Sequence, residues 1–201
     1  MLVKTLPVGQ IETNCYVVTN ENTMEGVIID PGDESNTILD YVEDNKIKVK
    51  AIFLTHGHFD HVTAAETVSE ETGAPIWINE KDTSPVPDMF KFKAPAGTKM
   101  YKEGDIIAVA GMVFQVIETP GHSAGSVTLI CQNALFTGDT LFRGSCGRVD
   151  LPGGNMADMS ASLRRLYSLE DNYEVYPGHM DATTLDVEKR SNPFMTSAVG
   201  E

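Results

Sequence analysis

All five histidines of this chain, His56, His58, His61, His122 and His179, sit in short motifs with glycine or aspartate neighbours, and none is left for an ordinary structural task. Three crowd into Thr55-His56-Gly57-His58-Phe59-Asp60-His61. The others end Gly121-His122 and Pro177-Gly178-His179, and a Gly138-Asp139 pair falls between those two. Imidazole nitrogen and carboxylate oxygen suit borderline divalent ions such as zinc, iron and manganese, whereas thiolate-only cages suit closed structural sites. A His/Asp set drawn from four separate segments therefore points to an open metal site, and to a fold that returns repeatedly to one place. The spacing differs from His-Glu-x-x-His, whose ligands lie on one helix.

The surroundings of each motif repeat one pattern. Ala51-Ile52-Phe53-Leu54-Thr55 is a short apolar run of the kind expected for a buried strand, and it leads straight into His56. Val113–Ile117 leads into Thr119-Pro120-Gly121-His122, Ala134–Thr137 into Gly138-Asp139, and Glu174–Tyr176 into Pro177-Gly178-His179. Each candidate ligand thus follows a strand on a glycine-containing turn, where the missing side chain permits close approach. Asp60 through Thr72 carries Val62, Ala65 and Val68 at helical spacing and stops at Gly73, so Asp60 and His61 are expected to open one helix. A single Gly-His or Gly-Asp dipeptide is a common turn; the joint order carries the inference.

This succession of HxHxDH, GH, GD and GH resembles the metallo-β-lactamase superfamily along nearly the whole chain. Gly138-Asp139-Thr140-Leu141-Phe142, Gly144-Ser145-Cys146-Gly147-Arg148, Leu151-Pro152-Gly153-Gly154 and Glu188–Phe194 are similar to a compact, glyoxalase II-like branch of thioester hydrolases. The resemblance implies an α/β fold of the αββα four-layer sandwich type, with residues 1–201 as one domain. It implies two divalent metal ions, zinc first, with iron or manganese as alternatives. His56, His58 and His122 would hold one ion, Asp60, His61 and His179 the other, and Asp139 both.

The reaction implied is hydrolysis of a small-molecule thioester such as a hydroxyacylglutathione. A hydroxide held between the ions is the nucleophile, and Asp60 or Asp139 takes its proton. Thiolate leaves readily, so acid assistance to it matters less. Arg148 stands where such enzymes carry a basic residue for the substrate's thiol carrier, and an ion pair with Asp150 is its equal alternative; Arg143 is a second candidate for substrate contact. Cys146 reads as structural, since every histidine that could activate it is engaged. Persulfide dioxygenases, which use one iron, and lactonases of the same fold remain alternatives.

Composition narrows the setting. A formal net charge of −14 makes nucleic acid a poor partner. Cys15, Cys131 and Cys146 are odd in number and form no CxxC, which suits a reducing cytoplasm. The first residues lack a signal-peptide core and no run is long enough to span a bilayer, so export and membrane partners are not expected.

No composition break divides the chain. Ser35 is expected to cap a helix carrying Ile38, Leu39 and Val42, while Met159, Leu163, Leu166 and Tyr167 mark another. Tyr101–Gly111 and Met112–Glu118 read as a hairpin. The segment Glu80–Gly97, with Pro85, Pro87, Pro95, Met89, Phe90, Phe92, Lys91 and Lys93, reads as a surface loop or a wall of the substrate cleft.

Overall fold

The computed structural model describes residues 1–86 and 88–200. Pro87, one of the loop prolines named above, and Glu201 lie outside the described residues. The first half runs β1 (Leu2–Val8), β2 (Thr13–Asn20), β3 (Glu25–Ile29), α1 (Ser35–Asp44), β4 (Lys48–Phe53), α2 (Phe59–Val62), α3 (Ala65–Thr72), β5 (Ile76–Asn79) and β6 (Lys99–Tyr101). The second runs β7 (Ile106–Val109), β8 (Met112–Glu118), β9 (Val127–Cys131), β10 (Ala134–Gly138), β11 (Leu141–Phe142), β12 (Ser145–Cys146), α4 (Met156–Tyr167), β13 (Glu174–Pro177), β14 (Thr183–Thr184), α5 (Leu185–Ser191) and α6 (Pro193–Gly200). β1 to β6 form one sheet in sequential order, and a second is ordered β14-β13-β10-β9-β8-β7.

Three apolar layers make this an αββα sandwich. Between the sheets, Val18, Val27, Ile29 and Phe53 meet Phe114, Val116, Leu129 and Phe136. The opposite face of the first sheet, with Ile28, Ile52 and Ile78, packs on Ile38 and Val42 of α1 and Ala65 and Val68 of α3. Leu135 and Val175 of the second sheet are covered by Met159, Leu163 and Leu166 of α4 and Met195 of α6. Strands buried on both faces read as continuous apolar runs, as Ala51–Leu54 and Ala134–Phe136 do.

Four local expectations change in the fold. The helix expected over Asp60–Thr72 is two helices. The Ala64 N–H bonds to the Pro31 carbonyl at 3.0 Å, and a Cβ on Gly32 would lie 1.7 Å from the Asp60 carbonyl oxygen. The turn after β3 thus wedges against the helix and breaks its ladder. Ser35 is the first helical residue rather than the cap, a place taken by Glu34 at φ 49°. Tyr101 belongs to β6 in the first sheet, so the hairpin is β7 and β8 alone, joined through Ala110-Gly111. Tyr167 is more exposed than the other three residues of its face. Among the described residues no helix is long and apolar enough to cross a membrane.

Candidate metal centre

The carboxyl ends of β3, β4, β8, β10 and β13 gather at one edge of the sandwich, the usual address of a site in sheets of this kind. Two backbone bonds stitch the sheets together there, Val127 N–H to Thr55 O at 2.9 Å and Asn14 N–H to Gly178 O at 2.8 Å. Four of these strands deliver the sequence motifs, and α2 presents Asp60 and His61 from its first turn.

The structure brings all seven candidate ligands together in two groups. His56, His58 and His122 have donor atoms within 4.8 Å of one another, and so have Asp60, His61 and His179. Asp139 lies between them: its Oδ2 is 3.4 Å from His122 Nε2 and 3.7 Å from His179 Nε2, and its Oδ1 is 3.4 Å from His61 Nε2. Glycine makes this approach possible, since a Cβ on Gly178 would meet Asp139 Oδ1 at 2.2 Å and His61 Cε1 at 2.7 Å. Gly138, at φ +47°, leaves room for the Thr55 side chain.

The far nitrogens of three rings are held by protein, which sets their tautomers. His122 Nδ1 donates to the Arg148 carbonyl at 2.7 Å, and a carbonyl can only accept. His61 Nδ1 donates to Asp30 Oδ2 at 2.9 Å. Thr55 Oγ1 donates to the same oxygen at 2.6 Å, so it accepts from His56 Nδ1 at 3.1 Å. Each of these rings therefore turns an Nε2 lone pair inward.

There the donors stop. His56 Nε2, His58 Nε2, His61 Nε2 and Asp139 Oδ1 are buried without a hydrogen-bond partner. Orphaned polar atoms of this kind are costly and rare. Four of them converging, with the Nδ1 side of three rings engaged elsewhere, fit divalent cations of the zinc, iron or manganese type.

Titration follows the same division. Burial, with His61 and His122 nearby, pushes His56 down, and burial with His122 and His61 pushes His58 down to about 4. For His61 burial opposes charge, yet Asp139 and Asp30 carry it above its ordinary value, and His179 rises beside Asp60 and Asp139 against its own burial. Burial would raise both carboxylates, but His179 and His61 hold Asp60, and His61 and His122 hold Asp139, below the usual range.

The family model of the metallo-beta-lactamase superfamily matches residues 8–179. The chain belongs to the metallo-beta-lactamase superfamily. Among its relatives, a protein of Haemophilus influenzae named hydroxyacylglutathione hydrolase GloC is 34% identical, with 98% of this chain and 99% of that one aligned. Three solved structures are similar over nearly the whole chain. BLEG-1, a B3 metallo-beta-lactamase, has a TM-score of 0.88 at 33% identity, covering 97% of this chain and 100% of that one. ETHE1 from Myxococcus xanthus has 0.85 at 32%, covering 96% and 84%. TTHA1623, in a di-iron-bound form, has 0.84 at 37%, covering 96% and 100%.

Two buried carboxylates escaped the motif reading. Asp30 (2% exposed) supports His61 and Thr55; its signal was the apolar run Val27-Ile28-Ile29 ending in Asp30-Pro31-Gly32, the same strand-then-turn pattern. Asp82 (1% exposed) accepts from Gly57 N–H at 2.9 Å, Gly125 N–H at 2.7 Å and Ser123 Oγ at 2.5 Å, tying the His56/His58 loop to the His122 loop. No local signal marks it, because its partners are far away in sequence.

The arginines lie at the margin. Arg148 forks onto Asp150 at 2.7 and 2.8 Å, with both side chains exposed, and it serves the site through its carbonyl. Arg143 pairs with exposed Asp181 at 3.1 Å, two residues beyond His179.

Proposed function

We propose that this chain is a metal-dependent hydrolase that cleaves thioesters, with hydroxyacylglutathiones as the substrate class. The observation that carries the reading is the pair of donor groups on either side of Asp139, with His56, His58 and His61 Nε2 and Asp139 Oδ1 buried and unpartnered. The likeness to the hydroxyacylglutathione hydrolase of Haemophilus influenzae supports the choice of substrate. His56, His58 and His122 would hold one ion and Asp60, His61 and His179 the second, with Asp139 between them. Zinc is the proposed metal, and iron is the alternative favoured by the di-iron form of TTHA1623.

Divalent ions bound here would acidify a water to a pKa of about 7 and polarise a substrate oxygen. The chain's own residues do the rest. Asp60 and Asp139 stay ionised at neutral pH and can receive the proton lost from water. Asp60 is oriented by Thr13 Oγ1, which donates to its Oδ2 at 3.1 Å, while the same oxygen is 3.2 Å from His179 Nε2. Cysteine is not needed as nucleophile, since burial pushes the Cys15, Cys131 and Cys146 thiols up. Arg143 and Arg148 are proposed to meet the carboxylates of the thiol carrier by exchanging partners with Asp181 and Asp150. The three thiols are free, which suits the proposed cytoplasmic setting.

Elemental analysis of the purified protein, paired with a panel of thioester, lactone and persulfide, tests the reading. Two ions per chain and thioester turnover are expected. Oxygen uptake with the persulfide, or ring opening of the lactone without thioester cleavage, overturns it.

A further inference from the structure

Within the second donor group, Thr13 holds Asp60 and Asp30 holds His61, each through its side chain. His179 has no such support. Among the described residues its ring meets the Asp60 and Asp139 carboxylates through Nε2, at 3.2 and 3.7 Å, and no protein group holds its Nδ1. Its direction is therefore set by the turn that carries it from β13 to β14.

That turn is fastened from the first sheet. Asn14, 6% exposed at the start of β2, donates its side-chain N–H groups to Pro177 O at 3.0 Å and Met180 O at 2.8 Å, and its backbone N–H to Gly178 O. Both side-chain partners are carbonyls, which can only accept, so the amide nitrogen faces them. Tyr16 Oη adds a second bond to Pro177 O at 2.6 Å. Backbone carbonyls on both sides of His179 are thus gripped by one strand.

The turn needs holding. Met180 stands at φ +69°, in the left-handed region that a residue with a Cβ rarely adopts. Its side chain is 59% exposed, so packing of that side chain does not impose the conformation.

We infer that Asn14 is a positioning residue for the second metal site: by holding Met180 left-handed, its amide aims His179 at Asp60. The inference rests on the two-ion part of the proposed function and on no choice of substrate.

Calorimetric titration of the metal-free protein with zinc, with cobalt spectra to tell the sites apart, tests it. Asn14→Leu should weaken the second site about 10–100-fold, the usual loss for a group that orients a ligand, and the first site less. Met180→Gly should change little alone and restore most of that loss in the Asn14→Leu background, because glycine takes a positive φ without a Cβ clash. Met180→Val places a β-branched residue at an exposed position, leaves Asn14 and the core intact, and should weaken the second site in the same direction. Should Asn14→Leu fail to fold, Met180→Val carries the test. An unchanged second site in Asn14→Leu or Met180→Val, equal loss at both sites, or additive effects of Asn14→Leu and Met180→Gly overturns the inference and leaves the two-ion reading standing. Unmodified protein that binds fewer than two ions overturns both.

Discussion

The two donor groups lie side by side and are built on different principles. His56, His58 and His122 are three buried imidazoles, 0%, 3% and 3% exposed, with Asp82 fastening their loops. Their surroundings push His56 and His58 toward the neutral form, so they offer lone pairs without charge. Asp60, His61 and His179 include a carboxylate, lean on Asp30 and Thr13, and reach solvent through His179, whose side chain is 21% exposed. Here the neighbouring carboxylates push the imidazoles up, toward the charged form. One group is organised by ring orientation, the other by charge.

The sharpest way to break this contrast is at the residue that lies between the two groups. Asp139→Ala should weaken both sites by more than about 100-fold, a larger effect than the usual loss of a supporting residue. Metal content and calorimetric titration read it, and one site left intact would mean that Asp139 does not bridge. Gly178→Ala follows, because its Cβ overlaps Asp139 Oδ1 and His61 Cε1. The second site should empty before the first.

Next come the supports, which should act selectively. Asp82→Asn places an amide where three donors point and should cost the three-histidine site about 10–100-fold in affinity. Asp30→Asn should cost a similar factor, chiefly at the His61 site. Cobalt substitution, with an absorption band for each site, separates the two. Equal loss at both sites in either variant would show that the supports are not divided.

Acid sharpens the comparison further. Protons compete for His61 and His179 from above their ordinary value, so the second site should empty before the first as pH falls. The metal-free fold should respond too. His58 is about 4 when folded and about 6.5 when unfolded, so its neutral burial stabilises above 6.5, and that contribution is lost as pH drops between those values. Melting temperature against pH reads this, and a flat profile across that window counts against the burial. The smallest effect belongs to Arg148→Ala. It removes an exposed ion pair but leaves the carbonyl that holds His122, so metal content should not change. Loss of the first ion would place the guanidinium in the site after all.

Much of the centre was legible in the chain. The apolar run, turn and ligand recur at His56, His122, Asp139 and His179, and the structure delivers each from a strand end. The reading failed where the decisive partner was remote. A continuous helix over Asp60–Thr72 satisfies local periodicity, yet the turn after β3 wedges against Asp60 and splits it. Tyr101 looked like the start of a hairpin because strand pattern does not reveal sheet membership. Nor does any side-chain pattern mark the Arg148 carbonyl, which holds His122.

Residue chemistry and local pattern decided which side chains were available as ligands and that each would ride on a strand end, since donor type and turn propensity are properties of a few neighbours. Packing decided the rest: the division into two groups, the position of Asp139 between them, the tautomers, and the roles of Asp30 and Asp82. Those depend on distances between segments that only the closed sandwich brings within hydrogen-bonding reach, and a buried carboxylate carries no local mark of what it will hold.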